Sequence, residues 1–455
     1  MWDDVAAAAV DPDILSRRVR FVPARRASQP AATSALVRVL NPGVASTGKA
    51  RSDVRNGDGG ALPASQSAPA GPAPLFPPER LLGMLGWSSV RGAGPGLSNL
   101  GQTCFMNAAL QALAHLPPLA QLCLSRHHSR GCRVLGWCAY CELEALIVEL
   151  HGSAARSLAP TAMAGKLRLI ARHFRPDRPQ DAHEFLLGLL SRMRSAAAEG
   201  KCGGGGAADG VGGAEPQCCS SEVDQLFGGS LVSTLTCGVC GGSTTARESS
   251  AGLSLGLHKA TTVERALRNF TASEPIKGDD SFWCAACAAK VEGTRRLRLG
   301  DTPHVLVLQL KRFRYDCARG ASKLCHAVQY EEELDLAAVC EGAGLAPGGG
   351  APLPLTYRLC AVVAHEGREL HVGHFHCLAR ASSGVWHRFD DDKVRQASAR
   401  QAVGAEAYLL FYVRTHPPAR GAAPALAAEA AAAGDADSDA GTDVGVCDGA
   451  AGGKE

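Results

Sequence analysis

Three residues of this chain have neighbours that suit covalent chemistry: a cysteine, a histidine and an aspartate. Cys104 stands in the run Gly96-Leu-Ser-Asn99-Leu-Gly101-Gln-Thr-Cys104-Phe-Met-Asn107. Gly101 permits a tight approach there, and a helix is expected to begin at Cys104. A thiol in that place feels the partial positive charge of free backbone N–H groups, which favours the nucleophilic thiolate. Asn99, five residues upstream, can fold its side-chain amide back to donate to an oxyanion. The other reading of Cys104 is a small buried hydrophobe, the usual fate of a free cysteine.

A thiolate needs a histidine, and the histidine needs an acceptor that orients it. Gly373-His374-Phe375 opens one expected strand, Ser382-Ser383-Gly384 reads as a turn, and Trp386-His-Arg-Phe389-Asp390-Asp391 closes the next. His374 and Asp390 each lie eight residues from Ser382, so a hairpin centred there sets them opposite each other on one face. An Asp in that position holds an imidazole in one tautomer. A register shift of one residue would bring Asp391 forward instead. His365, His371, His376 and His387 compete; His371 and His376 do not follow the glycine at the strand start, and His365 belongs to the preceding strand or its end. The alternative for the whole group is an exposed hairpin with surface charges.

Cys237-Gly-Val-Cys240 and Cys284-Ala-Ala-Cys287 form two C-x-x-C pairs. Each pair can fill two corners of a zinc tetrahedron from a tight turn, which Gly238 eases, and four thiolates leave no open position. The expected site is therefore closed and structural; one dithiol redox centre would need only one pair. His127, His128, Cys132, Cys138 and Cys141 have ligand types for a further site at less regular spacing. Core cysteines beside a helix from about Cys141 to Leu150 are the alternative.

The elements that must position these groups are legible in outline. Phe105 to Leu116 lacks Pro and Gly and stops at Pro117-Pro118, as a helix would. Asp177-Arg-Pro-Gln180 resembles an N-cap with Pro just inside a helix. Ala182, Phe185, Leu186, Leu189, Leu190 and Met193 then follow the spacing of a core-facing helix. Val305 to Leu308 reads as a buried strand. Further strands are expected at Tyr357 to Ala364, Phe375 to Ala379, Val385 to Phe389 and Ala407 to Val413. The fold class is α+β, helices first and strands mostly later.

Composition sets the limits. Residues 1–94 are rich in Ala, Pro, Ser, Gly and Arg, and are expected to be a disordered basic arm. Residues 414–455 are expected to be a disordered Ala/Gly-rich acidic tail, and the glycine-rich stretch 200–213 a surface loop. Ile14 to Arg51 has the Arg/Ala/Ser content of a transit peptide, but Asp3, Asp4, Asp11 and Asp13 precede it. A formal net charge of +3 over 455 residues gives no argument for nucleic-acid binding. With 18 cysteines and no signal-peptide or membrane-spanning pattern, a reducing compartment is expected, cytoplasmic or nuclear. The cluster Arg17, Arg18, Arg20, Arg25, Arg26 fits a nuclear signal or a solvated arm.

Together these residues resemble the ubiquitin-specific protease family, papain-like deubiquitinating cysteine proteases. One family box is similar to Gly-Leu-x-Asn-Leu-Gly-Asn-Thr-Cys-Tyr-Met-Asn, which residues 96–107 match apart from Gln102 and Phe105. Another is similar to Gly-His-Tyr followed by Trp-x-x-Phe-Asp-Asp, which residues 373–391 match with Phe375 for Tyr. Gln180-Asp181-Ala-His-Glu184-Phe185, Leu310-Lys-Arg-Phe313 and Ala407-Tyr-Leu-Leu-Phe-Tyr412 are similar to further elements in the expected order. The resemblance spans residues 95–413.

It implies a papain-like core with helical thumb, β-rich palm and zinc-bound fingers at about 225–300. Cys104 is then the nucleophile, His374 the general base, Asp390 the orienting acid and Asn99 an oxyanion donor, with Asp391 a possible auxiliary. Gln102, beside the nucleophile, would bear only on the shape of the oxyanion loop. Asp181 and Glu184 fall in a region that faces the ubiquitin C-terminal tail, whose arginines suit acids; both equally favour a first helical turn through the dipole. One branch of the family carries a cysteine pattern like Cys132, Cys138 and Cys141. Structural zinc, no organic cofactor, ubiquitin and ubiquitinated proteins as partners, no membrane and a monomer complete the expectation. A ubiquitin-binding pseudoenzyme and a general papain-like peptidase or amide transferase are the competing classes; the competent triad argues against the first and the paired C-x-x-C motifs against the second.

Overall fold

Eleven residues without Pro or Gly form the helix Cys104–Ala114, and all of them are buried. Leu110 and Leu113, read as one apolar face, are two points on a helix enclosed all round. The computed structural model describes residues 77–175, 177–201, 221–316, 320–340, 355–367 and 372–416. The expected arm up to residue 76, residues 202–213 of the glycine-rich stretch, His371 and the tail from 417 lie outside them. Pro117 and Pro118 end one helix and start the next, Pro117–Leu124, because a proline in the first helical turn has no N–H to leave unpaired.

The long helix Ala182–Lys201 buries Ala182, Phe185, Leu186, Leu189, Leu190 and Met193 as its spacing requires. Its cap differs from the expected one. Asp181, not Asp177, accepts from the backbone N–H of His183 (2.7 Å) and Glu184 (3.2 Å). The helices share one apolar cluster with Phe375, Cys377, Ala379 and Phe389 of the main sheet.

That sheet runs in the order Lys393–Ala397, Trp386–Asp390, Gly373–Arg380, Thr356–Gly367, Ala407–Arg414, Val305–Leu310, Leu253–Leu255, with Glu333–Asp335 also paired to Thr356–Gly367. Neighbours are antiparallel except Val305–Leu310 beside Leu253–Leu255. Leu378, Trp386, Leu410 and Tyr412 pack on its other face in a second cluster. A separate four-stranded sheet, Ser243–Ser250, Gly229–Cys237, Gly293–Leu299, Glu274–Ile276, and the hairpin Phe282–Cys284/Ala289–Val291 form the expected fingers.

The folded part begins before residue 95. Pro78–Leu82 is a helix whose Leu81 is fully buried in the main cluster. The Gln121 amide donates to the carbonyls of Met84 (3.0 Å) and Gly86 (2.7 Å) and accepts from Ser88 N–H (2.9 Å). Trp87 meets His151 edge-on. A few apolar side chains and one glutamine thus fasten a segment whose average composition reads as disordered.

Arg312, in the Leu310-Lys-Arg-Phe313 element, is fully buried. Its Nε donates to Ala407 O (2.6 Å) and its Nη1 to Leu324 O (2.9 Å) and His326 O (3.0 Å), with Glu406 at 3.9 Å. It ties two strands of the palm to a loop. Arg312→Met strips three carbonyls of their donor and is expected to cost about 3–5 kcal/mol in urea unfolding. A loss below about 1 kcal/mol would mean that water replaces the guanidinium there.

Candidate active site and metal centres

Cys104 is the first residue of its helix, behind Thr103 at the N-cap, and is 5% exposed. Gly101 has φ +132°, a conformation that L side chains avoid, so the turn before Cys104 needs glycine. Gly96 is held by contact. A Cβ there would lie 2.5 Å from the Asp392 carbonyl carbon and 2.6 Å from Asp391 O. The loop before Cys104 and the end of the Asp390 strand therefore touch backbone to backbone, joined by Leu97 N–H to Asp391 O at 2.8 Å.

His374 Nε2 lies 2.7 Å from Asp390 Oδ1. The other ring nitrogen is left for Cys104, whose hydrogen bond is the largest cause raising the His374 pKa to about 9. Burial works against that rise, and the Asp390 hydrogen bond and the charges of both partners add to it. Burial also disfavours charge on Asp390, yet hydrogen bonds from His374 and Arg388 hold its carboxyl below the usual range. His374 thus interacts with both Cys104 and Asp390.

The hairpin register is not the expected one. Cys377 pairs with Phe389 and Arg380 with Trp386, which extends to His376, not His374, across from Asp390. The slip is two residues, so His374 and Asp390 keep one face and meet diagonally. The turn residue Gly384 (φ +85°) sets that register. The competing histidines are occupied elsewhere. His365 is buried edge-on between Phe313 and Phe375, under Gly373, whose Cβ would come within 2.2 Å of the ring. His376 is buried, which lowers its pKa to about 4, and His387 Nδ1 lies 3.2 Å from Val385 O.

Asp391 bonds to two asparagines. Its backbone is left-handed (φ +51°), and its carboxylate accepts from Asn99 Nδ2 and Asn107 Nδ2, both at 2.8 Å. Asn99 Oδ1 accepts from Gly101 N–H (3.1 Å) and Thr103 N–H (3.2 Å). Its second amide N–H has no partner among the described residues and is exposed, as an oxyanion donor must be. Asn107, quoted in the nucleophile run without a role, is the buried clamp between the Cys104 helix and Asp391. Its sign in the sequence is a polar residue on a mostly apolar helix, which it shares with Gln111. Asp181 spends its other oxygen on the Tyr408 hydroxyl, and Glu184 lies 3.2 Å from His173, both half-exposed.

The Sγ atoms of Cys237, Cys240, Cys284 and Cys287 all lie within 4.8 Å of one another, a spacing that suits one metal ion. Val239 N–H and Cys240 N–H point at Cys237 Sγ (both 3.4 Å), the turn that presents two thiolates to a metal. The glycine with positive φ is Gly241, not Gly238, which instead approaches Glu292 O. A second group, His128, Cys132, Cys138 and Cys141, is equally close. Its histidine is His128; His127 is not a member. Glu144 accepts from the backbone N–H of His128 and Ser129, His128 stacks on Tyr140, and Cys138 caps the helix Ala139–Gly152. Either group could hold a metal ion.

The family profile described as "Ubiquitin carboxyl-terminal hydrolase" matches residues 95–412. Human ubiquitin carboxyl-terminal hydrolase 42 is 34% identical over 342 residues, 75% of this chain and 24% of that protein. Ubiquitin carboxyl-terminal hydrolase 23 of Arabidopsis thaliana is 36% identical over 71% of this chain and 36% of its own length. The chain therefore spans only about a quarter to a third of these two relatives. Among solved structures, the SAGA Ubp8/Sgf11/Sus1/Sgf73 DUB module bound to ubiquitin aldehyde superposes with a TM-score of 0.61 at 26% identity, covering 73% of this chain and 72% of the matched one. The SAGA DUB module with a cysteine-to-alanine variant of Ubp8, bound to monoubiquitin, gives 0.60 at 26% identity, with 72% and 70% covered. The chain belongs to the ubiquitin carboxyl-terminal hydrolase family.

Proposed function

We propose that the protein is a thiol-dependent deubiquitinase that hydrolyses isopeptide or peptide bonds after the C-terminal glycine of ubiquitin. The observation that carries this reading is that His374, bonded to Asp390, interacts with Cys104 at the start of its helix. Cys104 attacks the glycine carbonyl as thiolate, and the oxyanion takes hydrogen bonds from the free Asn99 amide N–H and the helix N-terminus. The His374 imidazolium, held by Asp390, gives its proton to the departing lysine amine. His374 then takes a proton from water, which cleaves the thioester and returns Cys104. Asp391 holds Asn99 and Asn107 and so fixes the loop on which the oxyanion donor sits.

Folded ubiquitin is the partner this site fits, through ubiquitinated proteins as substrates. Glu184, exposed at the start of its helix, is a partner for an arginine of the ubiquitin tail, while Asp181 acts mainly as cap and Tyr408 acceptor. Zinc is the ion that suits both metal groups, since four thiolates, or three thiolates with one imidazole, make a closed tetrahedral donor set. Its chemistry there is structural.

The test is to incubate the full-length chain and its Cys104→Ala variant with ubiquitin bearing a C-terminal vinyl sulfone. A covalent adduct on wild type that is absent from Cys104→Ala is the expected result. Wild type that binds ubiquitin without forming an adduct would identify a pseudoenzyme; neither binding nor adduct would remove ubiquitin from the proposal.

A further inference from the structure

Asp390 has another partner on the side away from the imidazole. Arg388 Nη2 lies 3.1 Å from Asp390 Oδ2 and 3.0 Å from Glu366 Oε1. Arg388 and Asp390 are two residues apart on one strand, so their side chains share a face. On the neighbouring strand Arg395 lies directly across from Arg388, and Lys393 across from Asp390. Like charges directly opposite repel, which turns the Arg388 guanidinium towards the two carboxylates. These groups line an open cavity of about 850 Å³ that also admits His376. Water therefore reaches this side of Asp390, which is about one-third exposed, as is Arg388.

A carboxylate held at one oxygen and wetted at the other can rotate, and the imidazole it orients rotates with it. A donor fixed at Oδ2 stops that. Glu366, on the next strand but one, supplies the fixing, because it anchors the same guanidinium nitrogen. We infer that Arg388 is a positioning residue for the acyl transfer: it locks the Asp390 carboxylate in the plane that aims His374 at Cys104. The inference rests on the deubiquitinase reading of the same site.

The charged and titratable groups that face Asp390 are Glu366, His374, His376, Arg388, Lys393 and Arg395. Removing Arg388 takes away a hydrogen bond and a positive charge, and leaves Glu366 and Asp390 without the cation between them. Asp390 then protonates at higher pH, and the acid limb of kcat/KM moves up with it.

The experiment measures hydrolysis of ubiquitin C-terminal aminomethylcoumarin by the full-length chain across pH, per active site titrated with ubiquitin vinyl sulfone. Arg388→Met is expected to lower kcat by about tenfold with KM within about twofold. Arg388→Lys should recover most of that loss, and Glu366→Gln, which leaves the guanidinium in place but loosens it, should lose about threefold. Wild-type kcat and an unmoved acid limb in Arg388→Met would overturn the inference. So would a loss of titratable sites with normal kcat per site, which marks a purely structural residue. A wild-type chain that neither reacts with the probe nor turns over would overturn the deubiquitinase reading instead, and the inference with it.

Discussion

His374→Ala is expected to lower kcat/KM for a ubiquitin amide by about 10⁴, some 5.5 kcal/mol of transition-state stabilisation, while ubiquitin binding stays within about twofold. The size follows from how many roles the ring combines. It supports the charge on the Cys104 sulfur, protonates the amine that leaves, and takes a proton from the water that cleaves the thioester. The neighbouring histidines cannot stand in: His365 and His376 are buried, and His387 lies beside Val385 O. A loss below about tenfold would show that another base reaches the sulfur.

The pH dependence has a definite sign. The His374 pKa is raised to about 9, so the ring is an imidazolium below that pH and loses its proton as pH rises through it. Above about 9 the leaving amine has no acid and the thiolate no counter-charge, so kcat/KM falls on an alkaline limb near that value. Asp390→Asn removes one cause of the rise. The limb should then move down by about one unit or more, and activity fall by about a hundredfold. An alkaline limb that stays in place in Asp390→Asn would mean that the carboxylate does not set the state of the imidazole.

The parts of the site that could be read from the sequence are those carried by short-range chemistry. A helix start behind Gly101, two C-x-x-C pairs and a Gly-His strand opening are local patterns, and each one places its side chains whatever the rest of the chain does. The His374–Asp390 pairing was legible for a weaker reason. The expected hairpin was centred on Ser382 rather than one residue later, but a two-residue slip keeps side chains on the same face, so the partners still meet. What the sequence withheld depends on elements far apart in the chain. Asn107 and Asp391 join only because Gly96 lets the nucleophile loop lie against Asp391 and Asp392. Arg388 matters only because Glu366 faces it across an intervening strand. His128 and His127 are equivalent by spacing, and Glu144 and Tyr140 decide between them. Residues 77–94 were hidden by averaging: Leu81 and Trp87 are few, and they count only once the core they meet exists.

Cys284→Ser is expected to remove one metal ion per chain and to raise KM for ubiquitin substrates more than about tenfold, with the alkaline limb of the surviving activity unchanged. At the tip of the fingers the buried cluster consists of Cys237, Cys284 and Val291, with Phe282 and Cys287 partly buried against it. The strand Ser243–Ser250 is almost wholly exposed. Burying a large apolar side chain contributes about 1.5–3 kcal/mol, and two of these three residues are the cysteines themselves. A structural zinc contributes about 10–16 kcal/mol in small domains. A metal held at the tip would therefore dominate its stability, because the hairpin Phe282–Cys284/Ala289–Val291 has little else to hold it. The second group rests on different support. Cys138 caps the helix Ala139–Gly152, whose Tyr140, Leu143, Ile147 and Leu150 are buried in the main cluster, so that helix keeps its core without a metal. Cys138→Ser should likewise remove one ion, but with KM within about threefold. Metal content by mass spectrometry, read beside KM, separates the two. Two ions in wild type, one in each variant and a KM rise only in Cys284→Ser are the expected pattern. An unchanged KM in Cys284→Ser with its ion gone would mean that the fingers order themselves without metal or do not bear on ubiquitin.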